Sequence, residues 1–325
     1  MINKEKAKKD LEKQGYRIVE KNSAVKICSW TKNSLTDKGV CYKEQFYGIK
    51  SHLCCQISCS LFNCQNKCIH CWRNQEYTEY LDLKNIDAPK KIISGSIMHQ
   101  RKLIEGFKGN SKINLKKFAE AQNPTQFAIS LTGEPTIYPK LGELVNELRK
   151  QGKTSFVVTN GLVPERLIQM QKKNQLPTQL YLSLNAPNKT LYEKWHRNPD
   201  PNAWKKFNKT ISIFPKLKTR KVIRMTLVKG INLKEKLIPQ YAKLIKKINP
   251  DFVEIKSYMS VGAARKRKNM GYNAMVSYNE ILEYSKKIAR ELNQEGYKIL
   301  DKHIPSRVVL IGKEKKKMEI KKEEY

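Results

Sequence analysis

All eight cysteines lie in the first 71 residues: Cys28, Cys41, Cys54, Cys55, Cys59, Cys64, Cys68 and Cys71. The last three form the run Cys64-Gln-Asn-Lys-Cys68-Ile-His-Cys71, a C-x3-C-x2-C spacing. Three thiolates on one short loop can ligate three irons of a 4Fe–4S cube, leaving the fourth iron open for a small molecule to chelate. A structural zinc site takes four ligands, usually in two C-x2-C pairs. Here no cysteine follows Cys71, and His70 is tied to its side by the chain. Upstream, Cys28-x12-Cys41-x12-Cys54 is an evenly spaced second trio, which could hold another cluster with an open iron. The competing reading is a set of free structural thiols. Cys55 and Cys59 are left over, and their neighbours Ile57, Leu61 and Phe62 suggest core packing. Cys55 could still replace Cys54 as a ligand.

Positioning such loops calls for a rigid frame. Beyond the cysteines, short apolar runs alternate with amphipathic ones. Strands are expected at Gln126–Leu131, Ser155–Thr159, Gln179–Leu184, Val222–Val228 and Asp251–Tyr258, with another from Gln56 to Phe62. Helices are expected at Leu141–Gln151, Glu165–Lys173, Ala203–Ile213, Leu233–Ile248 and Tyr278–Gln294, with Gly152 and Gly296 at C-caps. About six β/α units result, the content of an α/β barrel, complete or partial. No linker or repeat divides the chain. Residues 1–55 form an extension folded onto a barrel of residues 56–312, and Lys313–Tyr325 reads as a frayed basic tail.

Composition narrows the partners. Of 325 residues, 64 are Lys or Arg and 30 are Asp or Glu, a formal charge of +34. Spread along the chain, that excess points to a folded basic surface, and nucleic acid is its natural counterpart because binding releases phosphate counterions. No apolar run approaches a membrane span, and Met1–Gln14 lacks the apolar centre of a signal peptide, so a cytoplasmic protein is expected. Clustered cysteines in such a chain argue for metal over disulfides.

Taken in order, the motifs resemble the radical S-adenosylmethionine (SAM) superfamily. After the cysteine trio comes Trp72. Thr132-Gly133-Glu134-Pro135 follows the next strand, Thr159-Asn160-Gly161 the one after, and Ser183-Leu184-Asn185 the one after that. Singly these are ordinary turns; in register at successive strand ends, where barrel sites sit, they are specific. The resemblance implies a TIM-like partial (β/α)6 radical SAM barrel with a cysteine-bearing N-terminal extension. It also implies that Thr132, Gly133, Glu134, Thr159, Asn160, Ser183 and Asn185 contact SAM. Thr132 stands where the superfamily often has a glycine.

Two open-iron trios and a large positive charge together resemble the archaeal tRNA 4-demethylwyosine synthase (TYW1) family, as does the stretch Cys41-Tyr42-Lys43-Glu44-Gln45-Phe46-Tyr47-Gly48-Ile49. That resemblance implies two 4Fe–4S clusters, one binding SAM through Cys64, Cys68 and Cys71, the other auxiliary on Cys28, Cys41 and Cys54. It implies a lyase-type reaction in which the methyl carbon of N1-methylguanosine-37 of tRNA-Phe is condensed with pyruvate. Methionine, 5′-deoxyadenosine and CO2 are released, and an external electron donor is needed. Lys43 is implied as the Schiff-base lysine for pyruvate, and a partly desolvated amine beside a cluster would suit that chemistry; the open auxiliary iron could bind pyruvate instead, or as well.

For RNA contact the candidates are Lys218-Thr-Arg220-Lys221, Arg265-Lys266-Arg267-Lys268 with Tyr258 and Tyr272, and Trp195-His196-Arg197. The guanine would have to flip out of its stack. A monomer is expected. The alternatives are a two-cluster radical SAM enzyme of another RNA specificity, such as a methyltransferase, and a non-catalytic zinc-binding RNA-binding protein.

Overall fold

Ten strands form one sheet in the computed structural model, which describes residues 2–325. They are β1 (Arg17–Ile18), β2 (Ala24–Val25), β3 (Cys54–Ser58), β4 (Gln126–Ile129), β5 (Thr154–Thr159), β6 (Gln179–Ser183), β7 (Arg220–Leu227), β8 (Phe252–Ser257), β9 (Lys298–His303) and β10 (Val308–Gly312). The order is β1-β2-β3-β4-β5-β6-β7-β8-β10-β9. From β3 to β8 every neighbouring pair is parallel. These are the six expected β/α units, rolled into a partial barrel.

Three helices precede β3: α1 (Lys4–Lys13), α2 (Ser29–Leu35) and α3 (Tyr42–Tyr47). The crossovers then follow as α4 (Pro89–Glu105), α5 (Leu115–Glu120), α6 (Leu141–Lys150), α7 (Pro164–Lys172), α8 (Lys189–His196), α9 (Ala203–Ile213), α10 (Ile238–Ile248) and α11 (Tyr278–Glu291). The glycines expected past helix ends have left-handed backbone, Gly152 at φ 61° and Gly296 at φ 80°. No described helix is long and apolar enough to cross a membrane.

Side-chain alternation separates two cores. Ile129, Val157, Leu182, Ile223 and Ile255 face outward and pack on the crossover helices. Phe156, Tyr181, Val222, Phe252 and Leu310 face inward. Strands buried on both faces read as continuous apolar runs, which is why they were legible. The inward core is completed by the extension: Tyr42, Phe46 and Tyr47 of α3 pack against those inner residues and plug the half-barrel.

Several elements depart from expectation. The strand expected at Gln56–Phe62 begins at Cys54 and stops at Ser58, because the backbone then turns away and Leu61 bonds the Asn22 carbonyl instead of a strand neighbour. Helix α4 was not anticipated, although Pro89 opens it and Ile92, Ser96, Gln100 and Ile104 bury one face. Nor was the β9–β10 hairpin, which extends the sheet antiparallel to β8. The tail is not frayed. Met318 is buried against the inner core, the Ile320 amide bonds the Tyr47 carbonyl at 3.1 Å, and Glu324 pairs with Arg220 at 3.1 Å.

Candidate active site

The loop after β3 carries Cys64, Cys68 and Cys71, and distant parts of the chain hold its backbone. The amides of Lys67 and Ile69 bond the carbonyls of His196 and Trp195, at 2.9 and 3.0 Å. These carbonyls belong to the last turn of α8, where no helix partner remains for them. Arg267 reaches back with both terminal nitrogens, to the carbonyls of Ile69 (3.2 Å) and Arg73 (2.8 Å) and to that of Cys71. Gln75 donates to the Cys68 carbonyl at 2.6 Å. Trp72 anchors the exit by donating to the Leu131 carbonyl at 2.9 Å.

The sulfurs sit in a dry setting. Burial pushes the Cys64 thiol up to about 12 and the Cys68 thiol well above its usual value, and the neighbouring thiols of the trio push further in the same direction. Loading a metal must therefore expel protons, and only a strongly positive centre can drive that. Nitrogens approach the sulfurs: His196 Nδ1 lies 3.1 Å from Cys68, and Asn160 Nδ2 donates toward Cys64 at 4.0 Å. An all-thiol set on one loop suits an iron–sulfur cube. Among the described residues no three His, Cys, Asp or Glu side chains converge on a point that one metal ion could fill. A cube asks for no such convergence, because each of its ligands binds a different iron.

The strand-end motifs gather beside this loop. Glu134 is buried at the end of β4 and accepts from the Thr136 amide (3.1 Å), the Thr136 and Thr159 hydroxyls (both 2.6 Å) and the Asn160 amide (2.7 Å). Burial raises its pKa while these hydrogen bonds pull it back. Gly133 has φ 75°, and a Cβ there would stand 1.7 Å from the Ser60 carbonyl oxygen, so only glycine permits this contact. Thr132 donates to the Leu61 carbonyl at 3.0 Å. Asn160 donates to Gln65, inside the cysteine loop, at 3.1 Å. Ser183 ends β6, and Asn185 ties that end to β7 by accepting from the Thr226 amide at 3.0 Å. All seven residues thus line the C-terminal edge of the sheet.

The other trio is assembled from three elements. Cys28 and Cys41 are the N-cap residues of α2 and α3, and neither sulfur is used to cap its helix. Cys54 opens β3. Alternation along β3 separates the adjacent cysteines: Cys55 lies in the outer core with Cys59 and Ile57, whereas Cys54 is within electrostatic reach of Cys28, Cys41 and Lys43. Ser51 knits the group, accepting from the Cys41 amide at 2.8 Å and, through its own carbonyl, from Thr31 at 3.0 Å. Burial, then the neighbouring Cys28, pushes the Cys41 thiol up to about 12.

Lys43 projects from α3 into the barrel. Its ammonium stands 4.7 Å from the centre of the Phe156 ring and 5.0 Å from that of Tyr181. Burial, followed by the charge of Arg224, lowers its pKa. Two further charged side chains form the floor: Arg224 pairs with the fully buried Glu254 at 3.1 Å, and Glu254 also accepts from Tyr42 (3.0 Å) and Tyr47 (2.8 Å). Lys256, two residues along β8, has its pKa lowered to about 8, by burial first and Arg224 second. Arg224, Glu254 and Lys256 were not anticipated from sequence. A charge alternating with apolar residues inside a buried strand was the available signal.

The RNA candidates need correction. Lys218 lies just before β7 and Arg220 and Lys221 begin it, at the end of the sheet opposite the Cys64–Cys71 loop, and Arg220 is committed to Glu324. Tyr258 is buried and donates to the Met270 carbonyl, so it cannot stack a base. Trp195 and His196 are buried, and Arg197 is spent on the Lys67 carbonyl and Gln75. Arg267 grips the cysteine loop. What stays exposed at the mouth is Arg265, Lys266 and Lys268 with Tyr272, whose ring lies 5.1 Å from the Arg265 guanidinium.

Known proteins resemble this chain over most of its length. The family model described as the radical SAM superfamily matches residues 60–238, and one described as wyosine base formation matches residues 247–313. An S-adenosyl-L-methionine-dependent tRNA 4-demethylwyosine synthase of Pyrococcus horikoshii is 47% identical over 300 residues, 92% of this chain and 86% of the relative. The Methanocaldococcus jannaschii protein of that name is 36% identical, covering 95% of this chain and 96% of the relative. Among solved structures, TYW1 with a lysine–pyruvate adduct bound superposes with a TM-score of 0.83 at 34% identity, covering 96% of this chain and 97% of that one.

Proposed function

The chain belongs to the tRNA 4-demethylwyosine synthase family of radical SAM enzymes, and from that premise we propose how its residues divide the work. It is a SAM-dependent iron–sulfur enzyme that builds the wyosine base on tRNA. On the proposed reading the substrate is tRNA-Phe carrying N1-methylguanosine at position 37, and pyruvate supplies the two added carbons. Cys64, Cys68 and Cys71 hold the SAM-binding cluster, and Cys28, Cys41 and Cys54 hold an auxiliary one. When bound, SAM and its cluster supply a carbon radical that takes hydrogen from the guanosine methyl group.

The chain's own task is orientation. Thr132, Gly133, Glu134, Thr159, Asn160, Ser183 and Asn185 shape the strand ends against which SAM lies. Lys43 condenses with pyruvate: its amine attacks the ketone carbon, water leaves, and the imine holds the substrate in place until hydrolysis frees the lysine. The observation that carries this reading is the placement of Lys43. Its amine is desolvated among rings at the heart of the half-barrel, on the helix that starts at Cys41. In the TYW1 structure cited above, a lysine–pyruvate adduct is bound. Arg265, Lys266, Lys268 and Tyr272 offer phosphate contacts and a stacking ring at the mouth for the anticodon loop. The enzyme works on this reading as a cytoplasmic monomer served by an external electron donor.

Reconstituted anaerobically, the protein should carry about eight irons. With SAM, reductant, pyruvate and tRNA-Phe bearing N1-methylguanosine it should form the tricyclic base. Borohydride should trap pyruvate on the wild type and not on Lys43→Ala, whose iron content stays full. A trapped adduct that survives the replacement removes Lys43 from the reaction, and full clusters without tricyclic product remove the substrate assignment.

A further inference from the structure

His196 was read from sequence as a possible RNA contact. The structure gives it another place. Its ring is buried at 2% exposure, beneath Tyr192 at 4.3 Å between centroids, with Nδ1 3.1 Å from the Cys68 sulfur. Nε2 is buried without a partner. Its backbone is held too: its own carbonyl accepts from Lys67, and Arg197, with left-handed backbone at φ 46°, donates from its side chain to the Lys67 carbonyl at 2.8 Å. The end of α8 and the cysteine loop are therefore one rigid unit, and the ring cannot swing away from Cys68.

We propose that His196 is a positioning residue for the SAM-binding cluster, donating Nδ1–H to the Cys68 sulfur and so raising the potential at which that cluster accepts its electron. The inference rests on the reading above that Cys68 ligates the cluster. An iron-bound thiolate has no proton to give, so the proton in the 3.1 Å contact must come from the ring. With the ring's single N–H on Nδ1 it meets the sulfur, and Nε2 is left as a buried acceptor without a partner. Asn66 presents its amide nitrogen, a donor, 3.4 Å from Nδ1, a contact that is not a hydrogen bond once Nδ1 carries the proton; Asn66 is held instead by Asn198, which donates to its oxygen at 2.7 Å. Hydrogen bonds to the sulfurs are among the protein's levers on cluster potential. A donor draws electron density from the sulfur, which favours the reduced, more negative state.

The test is an EPR-monitored redox titration of the reconstituted full chain, following the signal that SAM perturbs. His196→Phe keeps a ring and loses the donor; His196→Asn keeps a donor near the Nδ1 position. At fixed ambient potential, His196→Phe should lower the reduced-to-oxidised ratio about tenfold, ~59 mV for one electron. His196→Asn should recover most of that ratio. Wild-type protein labelled with 15N-histidine should also show a weakly coupled histidine nitrogen in pulsed EPR of the same signal. A fully loaded His196→Phe with wild-type potential overturns the proposal, and so does the absence of a histidine coupling in the wild type, which needs no variant to fold. If Cys68→Ala keeps all its iron, the ligand reading falls, and this inference falls with it.

Discussion

The two cysteine trios differ in almost every respect except their number. One spans eight consecutive residues, and its backbone is gripped by α8, Arg267 and Gln75. The other spans 27 residues on two helix N-caps and a strand, which the fold draws within electrostatic reach of one another. Their surroundings differ as well. The loop trio is approached by neutral polar side chains, His196 and Asn160. The scattered trio faces the cations Lys43 and Lys256, over the Arg224–Glu254 pair. The first arrangement suits holding a cofactor in one geometry. The second suits drawing a small anion toward an amine, since positive charge in a low-dielectric pocket is costly until an anion meets it.

The sharpest way to break this contrast is to remove one thiol from each side. Cys68→Ala should abolish both 5′-deoxyadenosine release and tricyclic product, with about four of eight irons lost. Cys41→Ala should lose the same amount of iron and all tricyclic product while still cleaving SAM. If Cys41→Ala also stops SAM cleavage, the two trios are not separate in function. A smaller effect tests the charged floor beneath the second trio. Glu254→Gln strands the Arg224 charge and should cost about 3 kcal/mol in denaturant unfolding; an unchanged midpoint would show that the pair carries no such load.

The smallest effect is a pH slope from Lys256. With its folded pKa lowered to about 8 against 10.5, the unfolded chain binds more protons than the native one between those values. Stability should therefore rise with pH across that window, by at most about 1.4 kcal/mol per unit, and the full penalty applies below it. Lys256→Met should flatten the rise, as read from urea midpoints at several pH values in the window. An equal slope in both proteins would place the charge elsewhere.

Much of the site was legible because its signals are local. A C-x3-C-x2-C run, a glycine at a tight turn and a polar residue at each strand end are properties of a few neighbouring residues, and the parallel strands announce themselves by apolar content. The failures share one cause. Arg220, His196 and Arg267 look like surface chemistry in a basic chain, yet each is spoken for by a partner far away in sequence; Arg267 and Cys71 are 196 residues apart. Composition counts charges and cannot say which of them face water.

The number and spacing of the thiols, the order of the β/α units and the excess of 34 positive charges were set by the sequence alone, because each is a property of residue types and their separation. Tertiary structure decided the rest. Strand alternation sent Cys54 toward Lys43 and Cys55 into the outer core. The entry of α3 into the half-barrel desolvated one lysine among 64 basic residues. The end of α8 set a histidine against the Cys68 sulfur. Burial and contact depend on what the chain brings from far away, and no local pattern encodes that.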